Sequence, residues 1–259
     1  MCSGLTLAKG LCVPRGTALG QVAGWRSTFW AVVAIGVAAG LAIQTFVPSG
    51  LPGTRGGLVK EFRALGRWPV LRPMLISTLS SVSFFTVFTY ITPFLTGVTG
   101  FSPQGVTGVL FAAGIGLTVG HLAGGHFADR GLMATIIGGF IGIVAVLLVL
   151  AGVAHHAIPT VAVLVLWAGL AFALVSPLQI WVVEAASDAP NLASTLNQGA
   201  FNLGNATGAW LGGTALTLGA GYGQLPLIAA AVSILGLGLT DTAVSRTGSP
   251  LFSASAPGA

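Results

Sequence analysis

Charged side chains divide this chain into long uncharged runs. Asp, Glu, Lys and Arg are absent from residues 27–54, 73–128, 131–183 and 189–240, which are 28, 56, 53 and 52 residues long. A helix needs about 20 apolar residues to cross the ~30 Å hydrocarbon layer of a bilayer. The first run therefore fits one crossing, and each of the others fits two crossings with a turn. The pattern predicts one span followed by three helical hairpins, seven spans in all.

The uncharged runs and the turn residues inside them predict where each helix crosses the membrane. The seven predicted spans cover residues 28–47, 74–96, 104–125, 132–152, 158–183, 194–217 and 224–243. The predicted fold class is all-α, a polytopic membrane protein with about seven transmembrane helices. Because a hairpin returns to the side it left, all charged clusters after residue 54 are expected on one face of the membrane.

Composition agrees with a membrane protein and indicates its orientation. Hydrophobic residues make up 54% of the chain and charged residues 6%, whereas soluble domains carry about 25% charged residues. Basic loops tend to stay in the cytoplasm, so the loop between the first two spans and the C-terminus are predicted to be cytoplasmic, at the cell (inner) membrane. The net charge of +5 thus indicates topology and not nucleic-acid binding, because half of the ten basic residues lie in that loop: Arg55, Lys60, Arg63, Arg67 and Arg72.

The same loop carries an amphipathic pattern. Leu58, Phe62 and Leu65 recur at helical spacing, with basic residues on the other side. This favours a short interfacial helix resting on anionic headgroups. A flexible loop whose charges only set the topology is the alternative.

The last six spans read as two related sets of three helices. The second helix of each set has glycine at every fourth position, which lets two backbones approach closely in lipid. The first helix of each set contains a proline, Pro93 or Pro177. Matched proline-interrupted helices in two repeats are typical of the substrate site of a secondary transporter. The helix-packing glycines are Gly116, Gly120, Gly124, Gly204, Gly208 and Gly212.

Amide side chains form a stripe on the sixth span. Gln198, Asn202 and Asn205 lie at positions i, i+4 and i+7, so they share one face of the helix. That face lies about a quarter turn from the glycine face. The stripe is a candidate for substrate contact, and hydrogen bonding to another helix without a ligand is the alternative.

The proline-containing spans supply the other candidate binding residues. The second span combines many hydroxyls with phenylalanines, an arrangement that suits an apolar ligand, and Tyr90 and Phe88 are its preferred contacts. In the fifth span Gln179 follows Pro177 by two positions. Trp181 is ranked below it because tryptophan often marks the membrane interface.

Four stretches carry a family resemblance. They are GWRSTFW (Gly24 to Trp30), FTYITPFLTGVTGFSP (Phe88 to Pro103), GGHFADRG (Gly124 to Gly131) and FNLGNATGAWLGG (Phe201 to Gly213). Together they resemble the later part of a bacterial major facilitator superfamily transporter. Within it they are most similar to the twelve-span drug:proton antiporters, the arabinose-efflux-permease-like and chloramphenicol-resistance-like group.

The resemblance implies a twelve-helix transporter with two six-helix halves, each built of two three-helix inverted repeats. The chain then looks N-terminally truncated and supplies the C-terminal six-helix half and the helix before it, so a missing N-terminal half is an expected partner. The implied organisation is a remnant helix and outer loop (1–27), the last helix of the N-terminal half (28–47), a basic cytoplasmic central loop (48–73), the C-terminal half (74–245) and a cytoplasmic tail (246–259).

The resemblance also implies a gating motif on the cytoplasmic face. Gly125, Asp129, Arg130 and Gly131 match its C-terminal copy, although Leu132 and Met133 follow where further basic residues are usual. We expect Asp129 to cap a helix N-terminus. Arg130 is expected to pair with Glu184 and to latch the cytoplasmic side in the outward-facing state, and solvated loop charges without a latch are the alternative.

The expected function is efflux of small apolar or amphipathic, drug-like compounds by proton antiport. Sugar export by the same fold and a non-transporting truncated remnant are the alternatives. No carboxylate lies far from the end of a span, so the group that couples transport to protons is expected in the missing half. His121 is the one titratable residue well inside a span and is a weaker candidate.

Two other classes do not fit the sequence. A retinal-binding seven-helix protein needs a Schiff-base lysine inside a span, but Lys9 and Lys60 are the only lysines and neither lies in one. A membrane enzyme is also not expected, because neither G-x-S-x-G nor H-E-x-x-H is present. No cofactor and no metal are predicted. The expected partners are the lipid bilayer, a small-molecule substrate and protons.

Overall fold

The computed structural model describes residues 24–46 and 66–247, and the regular structure in these ranges is helical. The chain divides into two units, Met1–Gly57 and Leu58–Ala259, which are described separately. The predicted interfacial helix around Phe62 lies outside the described residues, as do the N-terminal remnant up to residue 23 and most of the predicted tail.

The first unit contains helix α1, Trp25–Phe46. Its 22 residues span about 33 Å, enough to cross a bilayer. The helix begins three residues before the predicted boundary. Gly24, at φ +82, turns the chain into it, and the Ser27 hydroxyl donates to the Gly24 carbonyl at 2.6 Å.

The second span is interrupted, as the proline pattern predicts, and it begins six residues before the predicted boundary at 74. It consists of α2, Trp68–Phe88, and α3, Ile91–Gly97. The break follows from Pro93. In a continuous helix its ring would clash with the carbonyl group four residues earlier, at Thr89. Tyr90 lies in the break at φ −107 and ψ 18.

The first hairpin is completed by α4, Pro103–Arg130, and the second begins with α5, Leu132–Val153. The Ser102 hydroxyl accepts a hydrogen bond from the Gly105 amide at 3.2 Å and caps the start of α4. α4 continues five residues past its predicted end at 125, and Gly131 alone separates it from α5.

The fifth span repeats the interruption of the second. It consists of α6, Ala157–Ala173, and α7, Val175–Ala185, which meet at Leu174. Pro177 accounts for this break in the same way, because the residue four positions before it is Ala173. The predicted span over 158–183 is thus a proline-interrupted helix, with the break at Leu174.

The last hairpin contains α8, Pro190–Thr217, a single 3₁₀ turn at Tyr222–Gln224, and α9, Leu225–Thr247. Within the described ranges, six helical segments are long and apolar enough to cross a membrane. α8 corresponds to the remaining predicted span, the sixth along the chain; it is long enough to cross, but its amides and hydroxyls make it less apolar than the others. The all-α polytopic membrane fold is confirmed.

The two sets of three helices pack in a crossed arrangement. α2 packs against α8, α4 packs against α6, and α5 packs against α9. The first helix of each set thus meets the second helix of the other set. The buried core between them is apolar, with Trp167, Phe94 and Phe140 among its largest buried side chains.

The glycine-bearing faces of α4 and α8 form the two closest crossings. A Cβ at Gly116 would lie 2.5 Å from the Val165 carbonyl oxygen, and one at Gly120 or Gly124 would overlap the backbone of α6. On α8, a Cβ at Gly204 would lie 2.6 Å from the Thr78 oxygen, and one at Gly208 would lie 2.5 Å from the Val82 oxygen. Real Cβ atoms do not approach that closely, so each crossing requires residues without side chains.

Polar contacts join several charged segments at one end of the bundle. Arg67, just before α2, donates to Asp188 at 2.6 Å. Arg72 donates to the Leu239 carbonyl at 2.8 Å and to the Thr242 hydroxyl at 2.5 Å. The start of α2, the segment after α7 and the end of α9 therefore lie together, as the hairpin argument predicts.

Candidate functional site

Tyr90 lies where α2 meets α8. Its hydroxyl donates to the Ala209 carbonyl at 2.8 Å. Its ring covers two glycines of α8, because a Cβ at Gly212 would lie 2.6 Å from Tyr90 Cε2, and one at Gly213 would lie 2.6 Å from the Tyr90 hydroxyl oxygen. In this conformation the hydroxyl thus holds two helices together.

Phe88 belongs to an aromatic cluster that joins the first helices of the two sets. Phe84 is at its centre and stacks on Phe88 at 4.9 Å and on Trp167 at 4.8 Å between ring centroids. Phe85 and Phe172 meet Phe84 edge-on at 5.4 and 5.5 Å. Phe84 and Trp167 are buried, whereas Phe88 is half-buried and lies at the margin. The cluster packs α2 against α6, and Phe85 also lies close to Gly208 of α8.

The amide stripe of α8 is partly tied to α2. Asn205 is half-buried, accepts a hydrogen bond from the Ser81 hydroxyl, and donates to Asn202 Oδ1 at 3.3 Å. Gln198 and Asn202 are exposed. The structure thus brings Asn202 and Asn205 together, while Gln198 forms no hydrogen bond within the described residues.

Gln179 lies apart from that stripe, in a second polar contact. Its side-chain amide donates to the Ser194 hydroxyl at 2.9 Å, and its carbonyl oxygen accepts from Asn197 Nδ2 at 2.7 Å. Asn197 is 4% exposed, and among the described residues its Oδ1 has no hydrogen-bond partner. Sequence reasoning missed Asn197, although it precedes Gly204 by seven positions and therefore shares the glycine face of α8.

The proposed gating residues lie exposed at helix ends, without the contacts expected of them. Among the described residues, Arg130 and Glu184 form no ion pair with each other within 4 Å, whereas Arg67 pairs with Asp188 at 2.6 Å. Asp129 caps no helix, because it still belongs to the last turn of α4, and the residue before α5 is Gly131, which has no side chain for capping. The capping prediction is wrong, and the latch stays a prediction for another conformation.

A groove of about 730 Å³ lies where α4, α5 and α6 meet. None of the six predicted substrate residues lines this groove. Among the three predicted gating residues, Arg130 lines it. Its wall is otherwise apolar apart from Thr135, whose hydroxyl donates to the Gly131 carbonyl at 2.8 Å. The groove is therefore separate from the candidate substrate residues on α2, α7 and α8.

His121 lies inside α4 and is half-buried. Its Nδ1 is buried and has no hydrogen-bond partner among the residues that the structure describes. In the same ranges no three His, Cys, Asp or Glu side chains cluster as a metal site would require.

Comparison with known proteins adds the family context. A family model described as the Major Facilitator Superfamily matches residues 3–209. The inner membrane transport protein YdhP of Escherichia coli K12 is 38% identical over 92% of this chain and 61% of its own length.

Two further relatives carry more specific names. A probable sugar efflux transporter of Helicobacter acinonychis is 28% identical over 90% of the chain and 60% of its own length. The purine ribonucleoside efflux pump NepI of Escherichia coli O6:H1 is 31% identical over 82% of the chain and 54% of its own length. The chain thus spans less than two thirds of the length of these curated relatives.

Proposed function

This chain belongs to the Major Facilitator Superfamily, and we propose that it forms part of a transporter that exports small apolar or amphipathic compounds in exchange for protons. The substrate would contact the surface formed by Phe88, Tyr90 and the amide stripe of α8. Gln179 would contact the substrate only after its hydrogen bonds to Ser194 and Asn197 break and are replaced by bonds to the substrate.

One observation carries the substrate class. The helix pair α2–α8 carries aromatic rings on α2 and the exposed or half-buried amides Asn202 and Asn205 on α8, and a hydrogen bond from Ser81 to Asn205 joins the two helices. Aromatic rings favour an apolar ligand, and a few amides orient it through hydrogen bonds. A strongly ionic substrate would need a charged partner, and residues 73–128 and 189–240 contain no Asp, Glu, Lys or Arg.

Proton coupling requires a group that titrates within the membrane. The uncharged runs contain no carboxylate, so we propose that the coupling acid of the full-length transporter lies outside this chain. His121 is the alternative, because its Nδ1 lacks a partner within the described ranges. We further propose that the basic loop and the C-terminus face the cytoplasm, and that Arg130 meets Glu184 when that side closes.

Sugar export is the second candidate function. Asn202, Asn205 and Gln198 could hydrogen-bond the hydroxyls of a sugar as readily as they position a drug, and one relative is named a probable sugar efflux transporter. The two candidates differ in what they require of α2. An apolar compound depends on Phe88, whereas a sugar depends chiefly on the amides.

The test compares export by cells that lack their main efflux pumps. The 259-residue chain is expressed alone and as a chimaera in which residues 74–245 replace the matching part of YdhP. Accumulation of a neutral amphipathic dye and of a labelled disaccharide is measured with and without a protonophore. Dye export that stops on adding the protonophore supports the proposal, whereas export of the disaccharide alone supports the sugar alternative.

Variants assign the export to the proposed surface. Asn202→Leu and Phe88→Ala are expected to reduce dye export. The control Thr207→Val changes an exposed residue on another face of α8, whose hydroxyl bonds its own helix at Leu203 O. Equal export by all three variants would contradict the assignment. Export by the chimaera but not by the chain alone would identify this chain as a non-transporting segment.

A further inference from the structure

The groove between α4, α5 and α6 has a shape that suits a lipid chain. Its floor contains Gly120, Gly124 and Gly169, which have no side chains, and its sides contain Val119, Phe127 and Leu166, which are exposed. It extends along α4 from Ile115 to Arg130, sixteen residues whose ends lie about 22 Å apart. One leaflet of the hydrocarbon layer is about 15 Å deep, half of the ~30 Å core. The groove can therefore hold an acyl chain over the full depth of a leaflet.

Charge distinguishes the two ends of this groove. Arg130 is the one formally charged residue that lines it, and it lies at the end of α4 where the chain turns at Gly131. Arg130 is exposed, and the structure gives it no hydrogen bond or ion pair with any residue in the described ranges. Asp129, the nearest acidic residue in sequence, does not line the groove. A basic side chain at the membrane end of a crevice between helices is an arrangement that binds anionic headgroups.

We propose that this groove binds an anionic glycerophospholipid, with an acyl chain between α4 and α5 and the phosphate at Arg130. The candidate substrate residues Tyr90, Gln179 and Asn202 do not line the groove. The proposal therefore concerns the lipid partner of this half of the transporter. It does not depend on which compound is exported.

One position allows the groove to be filled without disturbing the packing. A Cβ at Gly138 on α5 would meet no atom within 4 Å, and Gly138 lines the groove. Gly138→Leu should therefore place its side chain where the acyl chain lies. Gly152 is on the same helix, has equally open space around an added Cβ, and lies outside the groove. Gly152→Leu is the matched control.

The experiment measures bound lipid directly. The 259-residue chain and its variants are purified from membranes in a mild detergent, mixed with equal amounts of phosphatidylglycerol and phosphatidylcholine, and weighed by native mass spectrometry. The unaltered chain is expected to retain phosphatidylglycerol preferentially. Arg130→Gln should reduce that preference about fivefold, the effect of one arginine beside an anionic surface, and Arg130→Lys should keep most of it. Gly138→Leu should lower retention of both lipids, and Gly152→Leu should not.

Several results would overturn the proposal. They are equal retention of the two lipids by the unaltered chain, an unchanged preference in Arg130→Gln, and equal retention by the two leucine variants. Displacement of the lipid by excess inorganic phosphate would show that the acyl chain contributes nothing. A dimer in place of bound lipid, lost in Gly138→Leu, would assign the groove to a second copy of the chain. Circular dichroism checks folding, and the exposed Arg130 keeps the test decisive if Gly138→Leu does not fold.

Discussion

The crossing of α4 and α6 can be tested by adding one methyl group. Gly120→Ala would place its Cβ against the carbonyl group of Gly169, closer than atoms can approach. The helices must then separate, and overpacking of this kind costs about 1–3 kcal/mol. Alanine also favours helix over glycine by up to about 1 kcal/mol, which offsets part of that cost. The net change in Gly120→Ala alone is thus ambiguous, so a control with the same helix propensity is required.

Gly114→Ala provides that control. Gly114 lies on the same helix, and a Cβ there would meet nothing within 4 Å. The difference in unfolding free energy between the two alanine variants therefore isolates the crossing, at about 1–3 kcal/mol. For a chain of this size that is roughly 2–12 °C in midpoint temperature, followed by circular dichroism in detergent. Equal midpoints for the two variants would refute the close crossing.

Three further predictions use the contacts around the candidate site. Tyr90→Phe removes the hydrogen bond to Ala209 but keeps the ring, so we expect a loss of about 0.6 kcal/mol in thermal unfolding; a loss several times larger would contradict this account. Trp167→Ala removes a 2%-exposed ring that stacks on Phe84, and should cost about 3–5 kcal/mol, with Trp167→Phe costing clearly less. Arg67→Gln and Asp188→Asn should show a coupling of at most about 1 kcal/mol in a double-mutant cycle, because both partners are exposed.

The positions of the helices could be predicted from the sequence because charge is excluded from the hydrocarbon layer wherever it lacks a partner. Their interruptions could not be placed in the same way. Pro93 and Pro177 were evident in the sequence, but hydropathy does not change across Thr89–Tyr90 or at Leu174. A search for the carbonyl four residues before each proline would have found both breaks.

In the candidate site, the sequence predicts which residues share a helix face but not which residues they contact on other helices. Periodicity alone shows that Gln198, Asn202 and Asn205 share a face of α8. The partner of each amide depends on how helices cross, so neither the Ser81 contact of Asn205 nor the Asn197 contact of Gln179 could be derived from spacing. Arg130 and Glu184 illustrate the same limit, because the geometry of the turns decides which exposed charges meet. The roles assigned to these residues in transport and gating stay predictions.

The two sets of helices are related, yet they are not equivalent at the candidate site. Pro177 lies four residues after Ala173, whose backbone meets Gly124, whereas Pro93 lies seven residues after Thr86, whose carbonyl oxygen meets Gly212. The break in the second set is therefore three residues, about one helical turn, closer to the crossing that its own helix makes. In the first set that extra turn brings the Tyr90 ring over Gly212, while in the second set Gly124 meets Ala173, directly before the break at Leu174. The repeat that builds both crossings thus places an aromatic ring over Gly212 in one of them and the backbone of Ala173 over Gly124 in the other.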